Sequence, residues 1–198
     1  MIQSIDLNAI QSAIKEKYKK VSCSPEGNFK YPTGKKGAEA LGYDSTLIEA
    51  ASQELIFLFC GIGCPFSAGK INTEETILDI GCGGGFDMFC ASKLVGPKGK
   101  VYGLELSRDM AEKAKNNLSL ASARNINIQI GSSEQLPFES STFDAVISNG
   151  VFNLSPEKEK TYSEIFRVLK PGGRLQFADM VLKEELPPGE ISAKAWSH

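Results

Sequence analysis

The segment LDIGCGGGFD, Leu78 to Asp87, runs an apolar stretch straight into four glycines and then into a helical pattern. A short apolar run bounded by glycines reads as a buried strand. Glycines at the turn permit positive φ and let a ligand touch the backbone, because no Cβ intervenes. The helix that follows adds unpaired N–H donors facing the same space. A nucleotide-like ligand is therefore expected across the carboxyl ends of the strands, where an open parallel sheet changes strand order. The dinucleotide fingerprint G-x-G-x-x-G would need glycine where Phe86 stands, and Gly85 falls one residue early. An acid, Asp79, sits two residues before Gly81. This spacing suits a ligand without a pyrophosphate and with a cationic amino-acid end. Asp79 offsets that charge directly or through water, or else it only ties down local backbone.

Strand and helix alternate from there with short connections, which means parallel strands joined by right-handed crossovers. TILDI is the first strand, and FDMFCASKLV is helical in period. KVYGLEL is the second strand, and Ser107 caps a helix through Met110, Ala111, Ala114 and Leu118. INIQI and FDAVISN are the third and fourth strands. Ser155 is expected to cap the next helix with Pro156 in its first turn and with Tyr162, Ile165, Phe166 and Leu169 inward. KPGG ends that helix, and RLQFADMVL is the fifth strand. Glu105, at the end of the second strand and 20 residues after Gly85, is placed to accept both ribose hydroxyls. That contact is common to nicotinamide dinucleotides and S-adenosylmethionine and does not separate them.

Upstream, Leu7, Ile10, Ile14, Tyr18 and Val21 form one apolar helical stripe. Residues 22–44 carry two prolines and four glycines and read as extended and loop-like. Ser45 or Thr46 caps a helix through Leu47, Ile48, Ala51 and Leu55. FLFCGIGCPFSAG reads as a linker or lid. The chain of 198 residues, with 41% hydrophobic and 23% charged residues and a net charge of -2, is ordinary for a globular domain. Nothing favours nucleic acid or an acidic membrane surface, and no apolar run is long enough to span a bilayer. Five cysteines without a secretory signal point to a reducing cytoplasm. Cys60 and Cys64 are four residues apart, but the lone histidine is His198, so packing or a thiol function is preferred to zinc and no metal is expected.

At these residues the sequence resembles the class I methyltransferase family over about residues 70–183. LDIGCGGG resembles the first family motif, YGLELS the second, and GSSEQLPF the adenine-contacting segment; FDAVISN and RVLKPGGRL resemble later ones. The resemblance implies an α/β fold, a doubly wound and mostly parallel Rossmann-like sheet, with S-adenosyl-L-methionine as cofactor. It places Gly81, Cys82 and Gly83 against the methionine part, Glu105 on the ribose, and Leu106 and Met110 on the adenine. Ser133 and Glu134 fall at the adenine edge, and Asn149 near the sulfonium. Ser132 stands where family members usually carry aspartate. Within the family, LGYDSTLI, GIGCPFSAG, SNGVFNLSPEKEK and FADMVLKEELP resemble arsenite methyltransferases. Arsenic-binding cysteines of those enzymes would fall at Ile62 and Gly150, and neither position has a sulfur.

The resulting expectation is an S-adenosylmethionine-dependent methyltransferase (EC 2.1.1.-) for a small-molecule acceptor, as a monomer or homodimer. Methyl transfer needs alignment more than a base, so no catalytic residue is assigned; Asn153 is a substrate-side candidate or a turn residue. Three parts are expected: a helical and loop cap over 1–70, the cofactor-binding core over 71–183, and the start of a truncated C-terminal region over 184–198. The resembling core continues into two further strands, so an exposed edge is expected beside the fifth. Two rivals stand beside this reading: a non-catalytic S-adenosylmethionine-binding domain and an NAD(P)-dependent oxidoreductase. Phe86 and the lack of a Tyr-x-x-x-Lys or histidine set speak against the second.

Overall fold

Five apolar runs pair into one sheet in a computed structural model that describes residues 7–121 and 123–181. They are β1 (Thr76–Ile80), β2 (Lys100–Glu105), β3 (Ile126–Ile130), β4 (Phe143–Asn149) and β5 (Leu169–Ala178). The order is β3-β2-β1-β4-β5, and every pair is parallel. The connecting helices are α5 (Phe86–Val95), α6 (Arg108–Leu120) and α7 (Lys158–Val168). Before β1 come α1 (Leu7–Val21), α2 (Gly34–Ala40), α3 (Ser45–Ala50) and α4 (Gln53–Phe57). The doubly wound α/β class expected from the alternation is the observed one. Strand order reverses at β1, so its carboxyl end and that of β4 open onto a cleft.

Alternation along the strands splits the core in two. Ile77, Ala145 and Ile147 face Met88, Phe89 and Val101 on one side. Leu78, Ile80 and Val146 face Leu104, Phe143, Phe152 and Ile165 on the other. Both faces of β1 and β4 are covered, which is why adjacent positions such as Ile77 and Leu78, or Ala145, Val146 and Ile147, are all apolar.

Five local expectations need correction. The stretch 22–44 contains α2, because Gly37 serves close packing rather than a turn: a Cβ there would lie 2.4 Å from the Pro32 carbonyl oxygen. The helix expected from residue 45 is two helices, α3 capped by Asp44 and α4 capped by Ser52, with extended Ala51 between them. α7 starts at Lys158, beyond Pro156; the Ser155 hydroxyl donates to Glu134 at 2.6 Å and accepts from the Glu157 N–H at 3.3 Å, in the turn ahead of the helix. Its inward face is Thr161, Ile165 and Val168, whereas Phe166 is 84% exposed on the opposite side. KPGG bulges out within β5, whose pairing jumps from Leu169 opposite Phe143 to Arg174 opposite Ala145. Among the described residues β5 pairs with β4 alone, and Phe177 beside that edge is 42% exposed. Residues 184–198 lie outside the described residues, and no described helix is long and apolar enough to cross a membrane.

Candidate functional site

A cavity with about 740 Å³ of space, open to solvent, lies at the carboxyl ends of β1, β2 and β4. Glu105 ends β2 with its side chain turned back toward the glycine turn. One carboxylate oxygen accepts from the Gly83 N–H at 2.9 Å and the other from the Ser107 N–H at 2.8 Å. Burial raises the Glu105 pKa, and these backbone donors oppose the rise. Each oxygen keeps a lone pair for a ligand hydroxyl.

Two more acids are buried beneath the same turn. Asp79 is 1% exposed, and its Oδ2 has no hydrogen-bond partner among the described residues. Its pKa is raised by burial first and then by the charges of Asp87 and Glu105. Asp87, in the first turn of α5, accepts from the Tyr43 hydroxyl at 2.6 Å and from Asn149 Nδ2 at 3.1 Å. Burial pushes it up to about 6, against the pull of those two donors. Three buried carboxylates around one turn favour a cationic guest. The positive φ of Gly81 (72°) and Gly83 (51°) and the orphaned Asp79 oxygen fit a ligand that pairs a ribose with a cationic amino-acid end.

Asn149 ends β4 and is committed to the cap. Its Oδ1 accepts from the Ile62 and Gly63 N–H groups at 2.8 and 3.2 Å. Its Nδ2 donates to the Gly63 carbonyl at 2.8 Å and to the Tyr43 hydroxyl at 3.0 Å. A Cβ at Gly61 would lie 2.2 Å from that nitrogen, so only glycine lets the strap pass so close. Beside it Ile62 packs on Gly150, where a Cβ would be 3.3 Å from the isoleucine Cγ1. Gln11, Ile14 and Tyr18 bring α1 over the mouth. Cys60 and Cys64 are half-buried free thiols. Burial pushes Cys60 up to about 12 and raises Cys64. Among the described residues no three His, Cys, Asp or Glu side chains gather as a metal ion would require.

Of the residues singled out in the sequence, Gly81, Gly83, Glu105, Leu106, Ser133, Glu134 and Asn149 line this cavity. Cys82 lines a smaller one beside it, shared with Asp87 and Asn149. Asp79 lies behind the turn. Met110 is fully buried and packs with Val21 and Leu58 beneath α1. Asn153 lines neither cavity; its N–H donates to Asp179 at 3.0 Å, and its buried Oδ1 has no partner among the described residues. Sequence reasoning missed Asp87, Tyr43 and Ser155. Asp87 was inside the decisive segment, but an acid in a first helical turn already has a local reason to be there.

Comparison with known proteins agrees with this geometry. Residues 71–197 match the family described as "Methyltransferase domain". Arsenite methyltransferase of Halobacterium salinarum is 38% identical over 151 residues, covering 76% of this chain and 38% of that protein. Demethylmenaquinone methyltransferase of Lactococcus lactis is 46% identical over 104 residues, covering 52% and 41%. The chain thus spans about two fifths of the length of these curated relatives. The crystal structure of an arsenic(III) S-adenosylmethionine methyltransferase from Chlamydomonas reinhardtii superposes with a TM-score of 0.60 at 34% identity, covering 79% of this chain and 52% of that one. The chain belongs to the methyltransferase-domain family, and the cofactor that goes with that membership is S-adenosyl-L-methionine.

Proposed function

We propose that this chain binds S-adenosylmethionine at the glycine turn between β1 and α5 and directs its methyl group to a small-molecule acceptor other than arsenite. The observation that carries the reading is the set of three buried carboxylates, Asp79, Asp87 and Glu105, around a glycine turn that opens on one cavity. The bound sulfonium supplies an activated methyl group. Glu105 accepts the two ribose hydroxyls while Gly83 and Ser107 hold it in place. Asp79 and Asp87 offset the positive charge of the amino-acid end. Leu106 lies against the base. Asn149 holds the Ile62–Gly63 strap, which orders the methyl end of the cavity and excludes water from it.

The acceptor side argues against a thiolate clamp. Ile62 and Gly150, the positions where arsenite enzymes are expected to carry cysteine, pack on each other with no sulfur between them. Burial disfavours the thiolate at Cys60 and Cys64, and it is the thiolate that binds soft metals and metalloids. An apolar contact at this place suits a carbon-rich acceptor whose attacking atom already offers a lone pair, so no base is assigned.

Calorimetric titration with S-adenosylmethionine, S-adenosylhomocysteine and NAD tests the cofactor. Micromolar binding of the first two and none of NAD is expected, and binding of NAD alone overturns the reading. A methyl-transfer panel with arsenite plus thiol and with quinone-like acceptors then tests the acceptor. Turnover of arsenite would defeat the acceptor assignment. Binding without transfer to any acceptor would favour a non-catalytic domain.

A further inference from the structure

β5 ends the sheet on one side and β3 on the other, and the two edges are built differently. β5 carries Lys170, Pro171 and Arg174, and its pairing with β4 shifts between Leu169 and Arg174. Proline, charge and bulges are the means by which edge strands resist adding a further strand. β3 has none of them. Its sequence is INIQI, without charge, proline or glycine. Asn127 and Ile130 are exposed, and among the described residues β3 pairs with β2 alone.

The backbone of β3 has a fixed direction at each residue. The Asn125 carbonyl accepts from the Val101 N–H at 2.9 Å, and the Gly131 N–H donates to the Glu105 carbonyl at 3.0 Å, both toward β2. Backbone groups alternate sides along a strand, so Asn127 and Gln129 also bond toward β2. The N–H and C=O groups of Ile126, Ile128 and Ile130 therefore point outward. Among the described residues no hydrogen bond reaches those outward groups. The segment also reads alike in both directions, with isoleucine at each end and in the centre and a carboxamide between. Laid antiparallel on itself about Ile128, it sets Ile128 opposite Ile128 and Ile126 opposite Ile130. Residues opposed in this way exchange both backbone bonds. These are the outward-facing residues, so within the strand every outward N–H meets an outward carbonyl. A shift of one residue would oppose groups that already bond to β2, and a shift of two would leave outward groups over. On the face that packs toward α6, isoleucine meets isoleucine; on the other, Asn127 meets Gln129. The same register sets Asn125 opposite Gly131 and Arg124 opposite Ser132, so no like charges are opposed.

We propose that the β3 edge is a self-association surface, on which a second copy of this chain adds antiparallel about a two-fold axis through Ile128 and continues the sheet across both copies. The contact is isologous, the same segment serving on both sides. Leu120, 72% exposed at the end of α6 just ahead of β3, is carried by the second copy toward the end of the strand where Ile130 is exposed. Five residues a side bury less than a standard interface, so the dimer is weak and reversible.

Sedimentation velocity of the full chain from about 20 to 500 μM, the range proper to an interface below standard size, should show monomer passing into dimer. Amide exchange followed by NMR at low and high concentration identifies the surface. The Ile126, Ile128 and Ile130 amides should slow by about threefold or more at high concentration, whereas those of Asn127 and Gln129, bonded to β2, should be protected at both. Ile130→Pro removes an outward donor without touching a bond to β2, a change that edge strands accept, and should abolish association. Ile130→Lys keeps every backbone bond and sets a charge against Ile126 of the second copy. It should weaken association by about tenfold, and it decides the matter if the proline variant does not fold. A chain that stays monomeric throughout overturns the proposal, and an edge that accepts only an extended segment of another protein gives that result. A dimer whose three isoleucine amides exchange at an unchanged rate, or one that persists undiminished in the folded variants, overturns it as well.

Discussion

The ends of β2 and β4 flank the same strand and serve opposite purposes. Glu105 spends its hydrogen bonds on backbone at the ends of two adjacent strands, at Gly83 after β1 and Ser107 after β2, and faces the cavity with capacity left over. Asn149 spends its bonds on Ile62, Gly63, Tyr43 and Asp87, all from outside its own strand. One end is a receptor that the sheet prepares alone. The other is a clasp by which the sheet holds its cap. A polar residue at the carboxyl end of a parallel strand is therefore not a ligand contact by position alone, because what remains after its internal bonds decides its use.

Mutation should separate the two roles. Glu105→Ala removes both ribose acceptors and should weaken S-adenosylhomocysteine by about a hundredfold, roughly 2.7 kcal/mol, measured by calorimetry. Asn149→Ala should act on the fold instead, costing about 2 kcal/mol and roughly 4–8 °C in thermal midpoint while leaving cofactor affinity within about threefold. A large loss of affinity in that variant would erase the distinction between receptor and clasp.

Acidity gives a subtler test, because Asp87 touches the clasp and faces the charged end of the ligand. Its folded pKa of about 6 lies above that of an unfolded aspartate, so the folded chain binds the extra proton more tightly. This contribution to stability is fully present below the unfolded value and is lost as pH rises through about 6. Ligand affinity should run the other way, falling about tenfold from pH 7 to pH 5 as the carboxylate is neutralised. Opposite slopes in melting and in titration are expected, and parallel slopes would remove Asp87 from the ligand's surroundings. The smallest effect should come from Tyr43→Phe, with a loss of about 1 kcal/mol and a further rise in the Asp87 pKa, followed by carboxyl NMR.

The sheet was legible because its central strands are covered on both faces, which builds them around adjacent apolar residues, Ile77 and Leu78 in β1 and Ala145, Val146 and Ile147 in β4. Glu105 was legible because its relation to the glycine turn is a matter of spacing along the chain. The clasp was not, since Asn149 and its Ile62 partner are 87 residues apart and neither residue announces the other. Glycine misled in one place: Gly37 and Gly61 mark close approaches of backbone, and the first was read as part of a loop. Phe166 misled because it lies one residue past Ile165 and was included in a stripe wider than the buried face.

The long reach of the clasp also has a consequence in time. Residues 61–63 leave the ribosome before β4 exists, and the side chain that will hold them is made far downstream. Contacts so distant in sequence pay their loop-closure entropy before they return anything. The glycine turn and β2 can pair early, whereas the strap has nothing to fasten to until β4 docks beside β1. The cap should therefore close last. In pulsed hydrogen exchange during refolding, the Ile62 amide should gain protection after the amides of β1 and β2, so that the site acquires its receptor first and its roof afterwards.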